Sequence, residues 1–353
     1  MSLITISAVL NLILMMPIEE QFRRDALLVN LIPVETEANS TVSWDVKFSA
    51  RNSAGAKAEG YEVQSSDFTT DTRKLATLAW AHYEAYAYIS GTALRISAAN
   101  GRDPGGDGKL REEVLDASNE LAVKLGQNAY NGSVAASPTE IEGLARAVDA
   151  TGTYAGLAQG TYSEWASGEN THALASLSLD AIRTKLFRPF KDATGHMPEF
   201  VICPGNVYDA VVALFDAKTT IFVTTMTLGD GRQVDLARLG FRAVMVDGVP
   251  FLEDRHCTAN TMYALHSRYL SWRQVPAAFT TMDPGQLQGM IREVTGKTVE
   301  INEIATQQVA ARSKLTVQMN ALAKTGDSTK LQIVMDVQLR LKRRNAAAKL
   351  TLT

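Results

Sequence analysis

Residues 141–165 read Ile-Glu-Gly-Leu-Ala-Arg-Ala-Val-Asp-Ala-Thr-Gly-Thr-Tyr-Ala-Gly-Leu-Ala-Gln-Gly-Thr-Tyr-Ser-Glu-Trp. The stretch combines glycines, other small residues and aromatic side chains, and it contains almost nothing that could perform acid–base catalysis. Its composition therefore predicts packing and contact surfaces rather than a reactive pocket.

The bulk composition is that of a folded protein. The chain has 353 residues, enough for two or three compact units, with 46% hydrophobic and 21% charged residues. The formal net charge of −3 lacks the strong basic excess of a dedicated nucleic-acid binder. The two cysteines, Cys203 and Cys257, exclude a disulfide framework. We expect reduced thiols, and a single bridge between the two is the alternative.

An apolar run occupies residues 3–16. It is shorter than the roughly 20 residues that cross a bilayer. No Lys or Arg precedes the run and no small-residue cleavage site follows it, so it makes a poor signal peptide. We interpret it as an arm that buries its apolar side on a neighbouring subunit, with export as the alternative.

Alternating apolar and polar residues predict a β-hairpin near the N-terminus. The alternation from Val42 to Phe48 is typical of a half-buried strand. Turn-forming residues fill 51–60, and a second extended run follows at 61–68. An isolated hairpin is marginal in water, so this one needs a surface, either in its own domain or on a neighbour. Residues 74–90, rich in Ala, Tyr and Trp, fit either a strand or a helix.

One long helix is predicted over Lys109–Asn131. Apolar residues recur there at three- and four-residue steps, with Asp107 as a cap and Gly132 as a stop. At 1.5 Å per residue the helix measures about 35 Å. Residues 133–262 then have the pattern of a separate α/β unit. Its helices are predicted at 177–187 and 207–215, and strands at 199–203, 241–246, 249–251, 262–265 and, just beyond it, 269–272.

The C-terminal part returns to long strands. Apolar residues alternate without a break from Leu331 to Leu341, and the turn 325–328 joins this strand to an earlier one over 315–319. The long strand ends in the basic cluster Lys342-Arg343-Arg344.

Known catalytic and ligand-binding motifs fail in this sequence. The glycine-rich loop 101–109 lacks the first Gly and the Ser or Thr of a phosphate loop, and it lacks two oxygen ligands of a calcium loop. Asp254, His256 and Cys257 lie close together, but adjacent Cys and His side chains cannot both chelate one ion comfortably. No nucleophile elbow, His-Glu-x-x-His or Cys-x-x-Cys motif is present. We predict that the chain is not an enzyme and has no catalytic, cofactor-binding or metal site.

The order of these segments is similar to that of tailed-phage major capsid proteins. Within 141–165 the resemblance rests on Gly-Leu, Gly-Thr-Tyr-Ala-Gly and Trp. It continues in Phe-Val-Ile-Cys-Pro at 200–204, Val-Asp-Gly-Val-Pro-Phe-Leu-Glu-Asp at 246–254 and Thr-Met-Tyr-Ala-Leu at 261–265. The family uses the Hong Kong 97-type capsid fold. From about Phe22 to the end, the resemblance implies an α+β fold with an N-terminal arm, an extended β-hairpin loop, a long spine helix, a peripheral domain and an axial α/β domain.

The resemblance divides the chain into five parts. They are an N-terminal arm (1–38), an extended hairpin loop (39–72), a peripheral domain (73–140) with the spine helix 109–131, an axial domain (141–262) and a return to the peripheral domain in long strands (263–353).

The function that the resemblance implies is assembly. Copies are expected to form the pentamers and hexamers of an icosahedral or prolate phage head that encloses double-stranded DNA without reading its sequence. The expected partners are further copies, a separate scaffolding protein, a portal and a decoration protein, with no membrane. The expected location is the virion, after synthesis in the host bacterial cytoplasm.

Eight residues are predicted to contact neighbouring subunits: Trp44, Phe48, Lys57, Tyr61, Arg23, Arg24, Arg343 and Arg344. Some relatives join their subunits covalently through a loop lysine, and Lys57 occupies the corresponding place. No motif identifies an acceptor Asn or an assisting Glu, so crosslinking is not our prediction. The basic cluster 342–344 fits contact with packaged DNA, a solvated strand end or an intersubunit ion pair.

Two alternatives to a phage head stay open. An encapsulin-like compartment has the same fold and holds a protein cargo, and sequence pattern does not separate it from a virus shell. A soluble α/β enzyme built around 133–262 would instead be a monomer or small oligomer with a ligand-filled pocket.

Overall fold

A computed structural model describes residues 27–48, 59, 61–62, 73–99, 109–215, 225–227, 233–235, 243–275, 315, 318–321 and 327–353. These residues form two larger β-sheets, several two-stranded ribbons and a long helix that packs on the first sheet. The secondary structure is α+β, as expected. The predicted arm at 3–16, the hairpin tip apart from residue 59 and the loop 101–108 lie outside the described residues.

The strands fall mostly where alternation or short buried runs predict them. They are β1 (Val34–Thr36), β2 (Val42–Lys47), β3 (Arg73–Leu78), β4 (Ala81–Ser90), β5 (Thr153–Tyr154), β6 (Leu157–Ala158), β7 (Gly168–His172), β8 (Phe200–Cys203), β9 (Thr225–Thr227), β10 (Gln233–Asp235), β11 (Ala243–Val246), β12 (Val249–Glu253), β13 (Thr261–Leu265), β14 (Leu270–Gln274), β15 (Gln318–Ala321), β16 (Ser328–Leu341) and β17 (Ala348–Leu352). The helices span Leu27–Leu31, Gly91–Ala99, Lys109–Asn131, Leu144–Ala147, Leu179–Ile182, Arg188–Thr194 and Gly205–Ala213, with a π-helical segment at Arg183–Phe187.

The first sheet has the order β1-β14-β16-β15, and β4 pairs with the N-terminal ten residues of β16. Strand β4 alternates strictly between buried and exposed residues, because its inner face packs on the helix Lys109–Asn131. The Asn128 amide of that helix donates to the Tyr83 hydroxyl of β4 at 2.9 Å. Residues 74–90, which fitted either a strand or a helix in the sequence, belong to the two strands Arg73–Leu78 and Ala81–Ser90.

The long helix is confirmed over Lys109–Asn131. Val114, Leu121 and Leu125 lie on one helical face and are all buried, as their spacing predicts. The helix ends where the Gly132 amide donates to the Asn128 carbonyl at 2.8 Å. A Cβ at Gly132 would come within 2.6 Å of two carbonyl oxygens, so the tight exit needs glycine.

The second sheet has the order β11-β12-β8-β13-β17-β7. Strand β8 is buried along its whole length, under the helical residues from Leu179 to Thr194 and the helix Gly205–Ala213. We expected the whole segment after 262 to return to the long strands of the first sheet. The last strand, β17, instead pairs with β13 and β7, because Ala348, Leu350 and Leu352 complete the core of the second sheet.

Two short connections join the sheets. Residues 266–269 lead from β13 in the second sheet to β14 in the first, and residues 342–347 lead from β16 to β17. The two connections touch, since the Lys342 amide donates to the Tyr269 carbonyl at 2.7 Å.

A β-ribbon made of β2 and β3 corresponds to the predicted extended hairpin. Its register runs from Val42 opposite Leu78 to Lys47 opposite Arg73. In this register β2 pairs with residues 73–78, which come later in the chain than the predicted returning run 61–68. Tyr61 and Glu62 have no regular structure, and residues 63–68 lie outside the described range.

Candidate assembly interface

An aromatic cluster fixes the base of the β2–β3 ribbon to the body of the chain. The Phe48 ring, just beyond β2, stacks on Tyr162 with centroids 4.4 Å apart and meets the edge of Trp165 at 5.9 Å. Tyr154 lies between Trp165 and Trp44, with centroid distances of 6.2 and 6.4 Å. The cluster therefore joins the ribbon to the glycine- and aromatic-rich stretch of the sequence.

The Gly-Thr-Tyr-Ala-Gly motif forms a tight hairpin beside the ribbon. Strands β5 and β6 pair through a two-residue turn in which Ala155 has φ 52° and Gly156 has φ 77°. Positive φ at both central residues is what a type I′ turn requires. The Thr77 amide of β3 donates to the Ala155 carbonyl at 3.0 Å, so the small hairpin continues the hydrogen bonding of the ribbon.

Tyr154 connects this small hairpin to the end of β16. Its hydroxyl accepts a hydrogen bond from the Leu341 amide at 2.9 Å and donates to the Leu339 carbonyl at 3.4 Å. Burial raises the pKa of the Tyr154 hydroxyl above its usual range, so the group stays neutral and keeps its proton. The Tyr154 side chain thus packs in the aromatic cluster and also hydrogen-bonds two backbone groups of β16.

Arg344 is buried at the centre of the same region, with 1% of its surface exposed. Each of its three guanidinium nitrogens donates to a backbone carbonyl, and the acceptors are Arg146 at 3.2 Å, Ala147 at 3.1 Å, Thr151 at 2.7 Å and Gly152 at 3.2 Å. Burial lowers the pKa of this guanidinium, which still stays charged because arginine titrates far above neutral pH. The structure therefore places Arg344 inside its own chain, contrary to the prediction of a contact with a neighbour.

Trp44 and Phe48, the two predicted aromatic contacts, also serve their own chain. The Trp44 ring is buried, and its indole N–H donates to the Lys342 carbonyl at 3.2 Å. Phe48 is half-buried in the aromatic cluster. Their alternation in the sequence correctly predicts a packed face, but the surface that they pack on belongs to the same copy.

The remaining predicted residues are exposed or outside the described range. Arg343 is exposed and donates to the Ala193 carbonyl at 3.2 Å, with its guanidinium 5.6 Å from the centre of the Tyr269 ring. Tyr61 is 42% exposed. The residues outside the described range are Lys57, Arg23 and Arg24.

The outward face of the ribbon carries an apolar side chain that the sequence analysis missed. Leu75, opposite Asp45 in the register, is 59% exposed. Lys47 and Arg73, which pair in the register, are exposed on the same face. The signal for Leu75 lies in the period-two pattern of β3, which the ambiguous assignment of residues 74–90 obscured.

The outer face of β4 presents a second exposed strip. Tyr86 is 60% exposed and Tyr88 is 58% exposed. Beside them the His82 ring lies 2.6 Å from Asp336 and 2.6 Å from Glu84, and the hydrogen bond to Asp336 is the main cause of its raised pKa. The Tyr86 hydroxyl donates to Glu84. The strip therefore presents two aromatic rings at the surface of the first sheet, beside two carboxylates that both contact His82.

The described part of the chain gives little support for a metal site or a nucleophilic cysteine. No group of three or more His, Cys, Asp or Glu side chains there is placed to hold a metal ion. Cys203 and Cys257 are buried free thiols, and burial raises the pKa of both, which opposes formation of a nucleophilic thiolate. Among the same residues, no helix combines the length and apolarity needed to span a bilayer.

Solved structures similar to this one include chains of two capsids and of an encapsulin. A chain of the cyanophage A-1(L) capsid asymmetric unit aligns with a TM-score of 0.66 and 19% identity, over 93% of this chain and 92% of that one. A chain from the capsid of a native GTA particle gives 0.55 and 13%, over 92% and 89%. A chain of the holo-SrpI encapsulin complex from Synechococcus elongatus PCC 7942 gives 0.54 and 11%, over 92% and 86%.

The likeness is one of architecture, because these identities are low. The sequence matches no family model and no curated protein. The alignments nevertheless extend over more than nine-tenths of this chain. The chain therefore has the Hong Kong 97-type capsid fold that the sequence resemblance implied.

Proposed function

We propose that the chain is a capsid subunit that forms a closed shell, in which the exposed face of the β2–β3 ribbon contacts the next copy. The observation that carries the proposal is the contrast between the two faces of the ribbon. Trp44 and Val46 on one face are buried by their own chain, whereas Leu75, Lys47 and Arg73 on the other face are exposed. An exposed leucine between charged neighbours gains free energy when a partner covers it. The full-length likeness to capsid chains supports this arrangement.

The finer features of the shell are part of the same proposal. Axial regions meet as pentamers and hexamers of an icosahedral or prolate head, and many modest contacts per copy add up to a stable closed particle. The particle encloses double-stranded DNA without sequence specificity and is built with a scaffolding protein, a portal and a decoration protein. It assembles in the bacterial cytoplasm and becomes the virion shell. We infer no enzymatic activity, since the buried thiols and the capsid likeness both argue against it.

Electron microscopy of the purified full chain tests the proposal. The chain, alone or co-expressed with a candidate scaffolding protein, is expected to give uniform closed particles. Substituting Leu75→Asp should reduce the particle yield, whereas the matched change Thr77→Asp, at an exposed position two residues further along β3, should reduce it less. A chain that stays monomeric at high concentration in both preparations would overturn the proposal.

An encapsulin-like compartment is the second candidate, favoured by the likeness to the holo-SrpI encapsulin chain. The contents of the particles separate the two functions. Particles isolated from the natural host that hold long double-stranded DNA support a phage head, whereas particles that hold one folded protein and no DNA support a compartment.

A further inference from the structure

Strand β4 forms an open edge of the first sheet. It pairs with β16 along all ten of its residues without a bulge, and in the described part of the chain no strand or loop pairs with its other side. The strand contains no Pro, Gly or Lys, and apart from His82 and Glu84 near its start it carries no ionisable side chain other than tyrosine. Natural sheets protect a long edge with such residues, with bulges or with a cover, so an edge of this kind indicates that another strand pairs with it.

One backbone hydrogen bond shows which groups of β4 face the open side. The Gly91 amide, just after β4, donates to the Asp327 carbonyl, just before β16, at 2.7 Å. Alternate residues of an antiparallel strand direct their backbone groups to opposite sides, so the odd-numbered residues of β4 bond to β16. The amides and carbonyls of the even-numbered residues therefore point away from β16. These residues are the ones with exposed side chains: His82, Glu84, Tyr86 and Tyr88.

The apolar run near the N-terminus contains a strand pattern that fits this edge. Residues 4–12 read Ile-Thr-Ile-Ser-Ala-Val-Leu-Asn-Leu. Every second residue from Ile4 to Leu12 is apolar, and most of the residues between them are polar, which is the alternation of a strand with one apolar face. The segment has nearly the length of β4 and carries no charge. Length, alternation and neutrality therefore match the open edge.

The first described residues lie on the side of the sheet opposite to that edge. The carbonyl of Asp336, an even-numbered residue of β16, accepts from Val275, just after β14, at 3.2 Å, so β14 flanks β16 on the side away from β4. Strand β1 pairs with β14, and the helix Leu27–Leu31 leads into β1. A donor segment at one edge and an acceptor at the opposite edge make a head-to-tail contact, which repeats from copy to copy and can close into a ring. Residues 13–26 can extend to about 45 Å, enough to reach an adjoining copy.

We propose that residues 4–12 of one copy add as a further strand to the open edge of β4 in a neighbouring copy. The added strand pairs with the free backbone groups along residues 82–88. It also covers one flank of Tyr86 and Tyr88, which are 60% and 58% exposed without it. Main-chain hydrogen bonds hold the strand, and its apolar side chains leave water. This contact rests on the proposed function, because it joins copies of the shell.

Cysteine crosslinking in the full chain tests the pairing. Tyr88→Cys is combined with a second cysteine at each position from 4 to 12 in turn, and the particles are oxidised and separated on denaturing gels. We expect crosslinks between copies at positions of one parity only, around the residue opposite Tyr88, because the side chains of a strand alternate between its faces. Lys191→Cys, at an exposed position of the helix Arg188–Thr194, replaces Tyr88→Cys in the matched control and should give none. Cys203 and Cys257 are buried and should not react.

Hydrogen exchange supplies a second readout that needs no cysteine. The amides of Glu84, Tyr86 and Tyr88 should exchange at least about tenfold more slowly in particles than in the unassembled chain, because the added strand accepts from them. Ala8→Pro interrupts the added strand, so it should abolish this protection. Ala8→Val keeps a strand-forming residue and should preserve the protection. Ala8→Pro particles with fully protected edge amides would contradict the pairing.

The outcomes separate this contact from the shell itself. Particles of the unsubstituted chain whose edge amides exchange as fast as in the unassembled chain overturn the pairing and leave the shell standing. Crosslinks within one copy mean that the segment folds back on its own chain, and crosslinks between chains that carry only Tyr88→Cys mean that β4 pairs with itself. Either result overturns the pairing. A chain that stays monomeric at high concentration overturns both the pairing and the shell.

Discussion

Arg344 is the residue on which the stretch 146–152 depends, because it is the donor for four backbone carbonyls of that stretch. Arg344→Met keeps most of the side-chain volume but removes every donor. We expect it to lower the free energy of unfolding by at least about 3 kcal/mol, since several carbonyls lose their partner in a buried place. Urea denaturation measures the change. Arg343→Met, at the exposed neighbouring position, should cost less than about 1 kcal/mol. Equal losses in the two variants would contradict the assigned role.

The turn Ala155-Gly156 permits a second test with a built-in control. Both residues have positive φ, at 52° and 77°, and a Cβ at Gly156 would meet only the Thr77 hydroxyl oxygen, at 3.7 Å. The cost of Gly156→Ala is therefore conformational, and we expect about 1–2 kcal/mol of destabilisation. Ala155→Gly relieves the same strain and should be neutral or slightly stabilising. Thermal unfolding of the two variants measures both effects, and a stabilising Gly156→Ala would show that the turn geometry is wrong.

At the residue level the sequence predicts where the chain turns better than it predicts which charged side chains are buried. The Gly-Thr-Tyr-Ala-Gly motif contains a turn because glycine tolerates positive φ, and Asp247-Gly248 turns the chain in the same way between the predicted strands 241–246 and 249–251. Arg343 and Arg344 are indistinguishable in the sequence. Only tertiary packing decides that one is exposed and the other is buried among carbonyls of a segment nearly 200 residues away.

The β2–β3 ribbon is the element that links fold to assembly, and two substitutions separate its base from its outward face. Phe48→Ala removes a ring stacked on Tyr162, so we expect it to cost about 1–3 kcal/mol of folding stability. Leu75→Asp changes an exposed position and should cost less than about 0.5 kcal/mol while reducing particle yield. Denaturation of the unassembled chain and microscopy of the assembled product give the two readouts. A Leu75→Asp chain that unfolds easily would mean that the leucine supports its own copy.

Elements with strong periodicity are the ones that the sequence predicts well. The helix Lys109–Asn131 and the long strand β16 agree with their patterns because the apolar side chains that recur on one face of each are buried. The run 61–68 was predicted to return beside β2, whereas residues 73–78 pair with it, because strand pairing is a long-range choice that local pattern does not decide. The placement of β17 in the second sheet was missed for a related reason. Five residues at the chain end carry an apolar pattern but no indication of which core receives it.

The whole molecule is also held together by a buried contact between the long helix and the second sheet. The Tyr130 hydroxyl of the helix donates to the Asp254 carboxylate, just after β12, at 2.6 Å. Burial raises the pKa of Asp254, and the hydrogen bond from Tyr130 partly opposes that rise. A raised folded pKa means that the native state holds its proton more tightly than the unfolded chain. The contribution of Asp254 is therefore full below its unfolded pKa of about 3.9 and is lost as the pH rises through the folded value.

Removing the Tyr130 hydroxyl should therefore have a cost that depends on pH. Tyr130→Phe leaves the buried carboxylate with one donor fewer and raises its pKa further, so we expect a loss of about 1–3 kcal/mol near neutral pH. The loss should shrink as the pH falls towards 4, because Asp254 then takes up a proton. Tyr263→Phe is the matched control. Its buried hydroxyl pairs with the neutral Thr258 hydroxyl at 2.9 Å, and its smaller loss should not vary with pH. Denaturation curves across this pH range decide the matter, and parallel pH profiles for the two variants would mean that Asp254 does not depend on Tyr130.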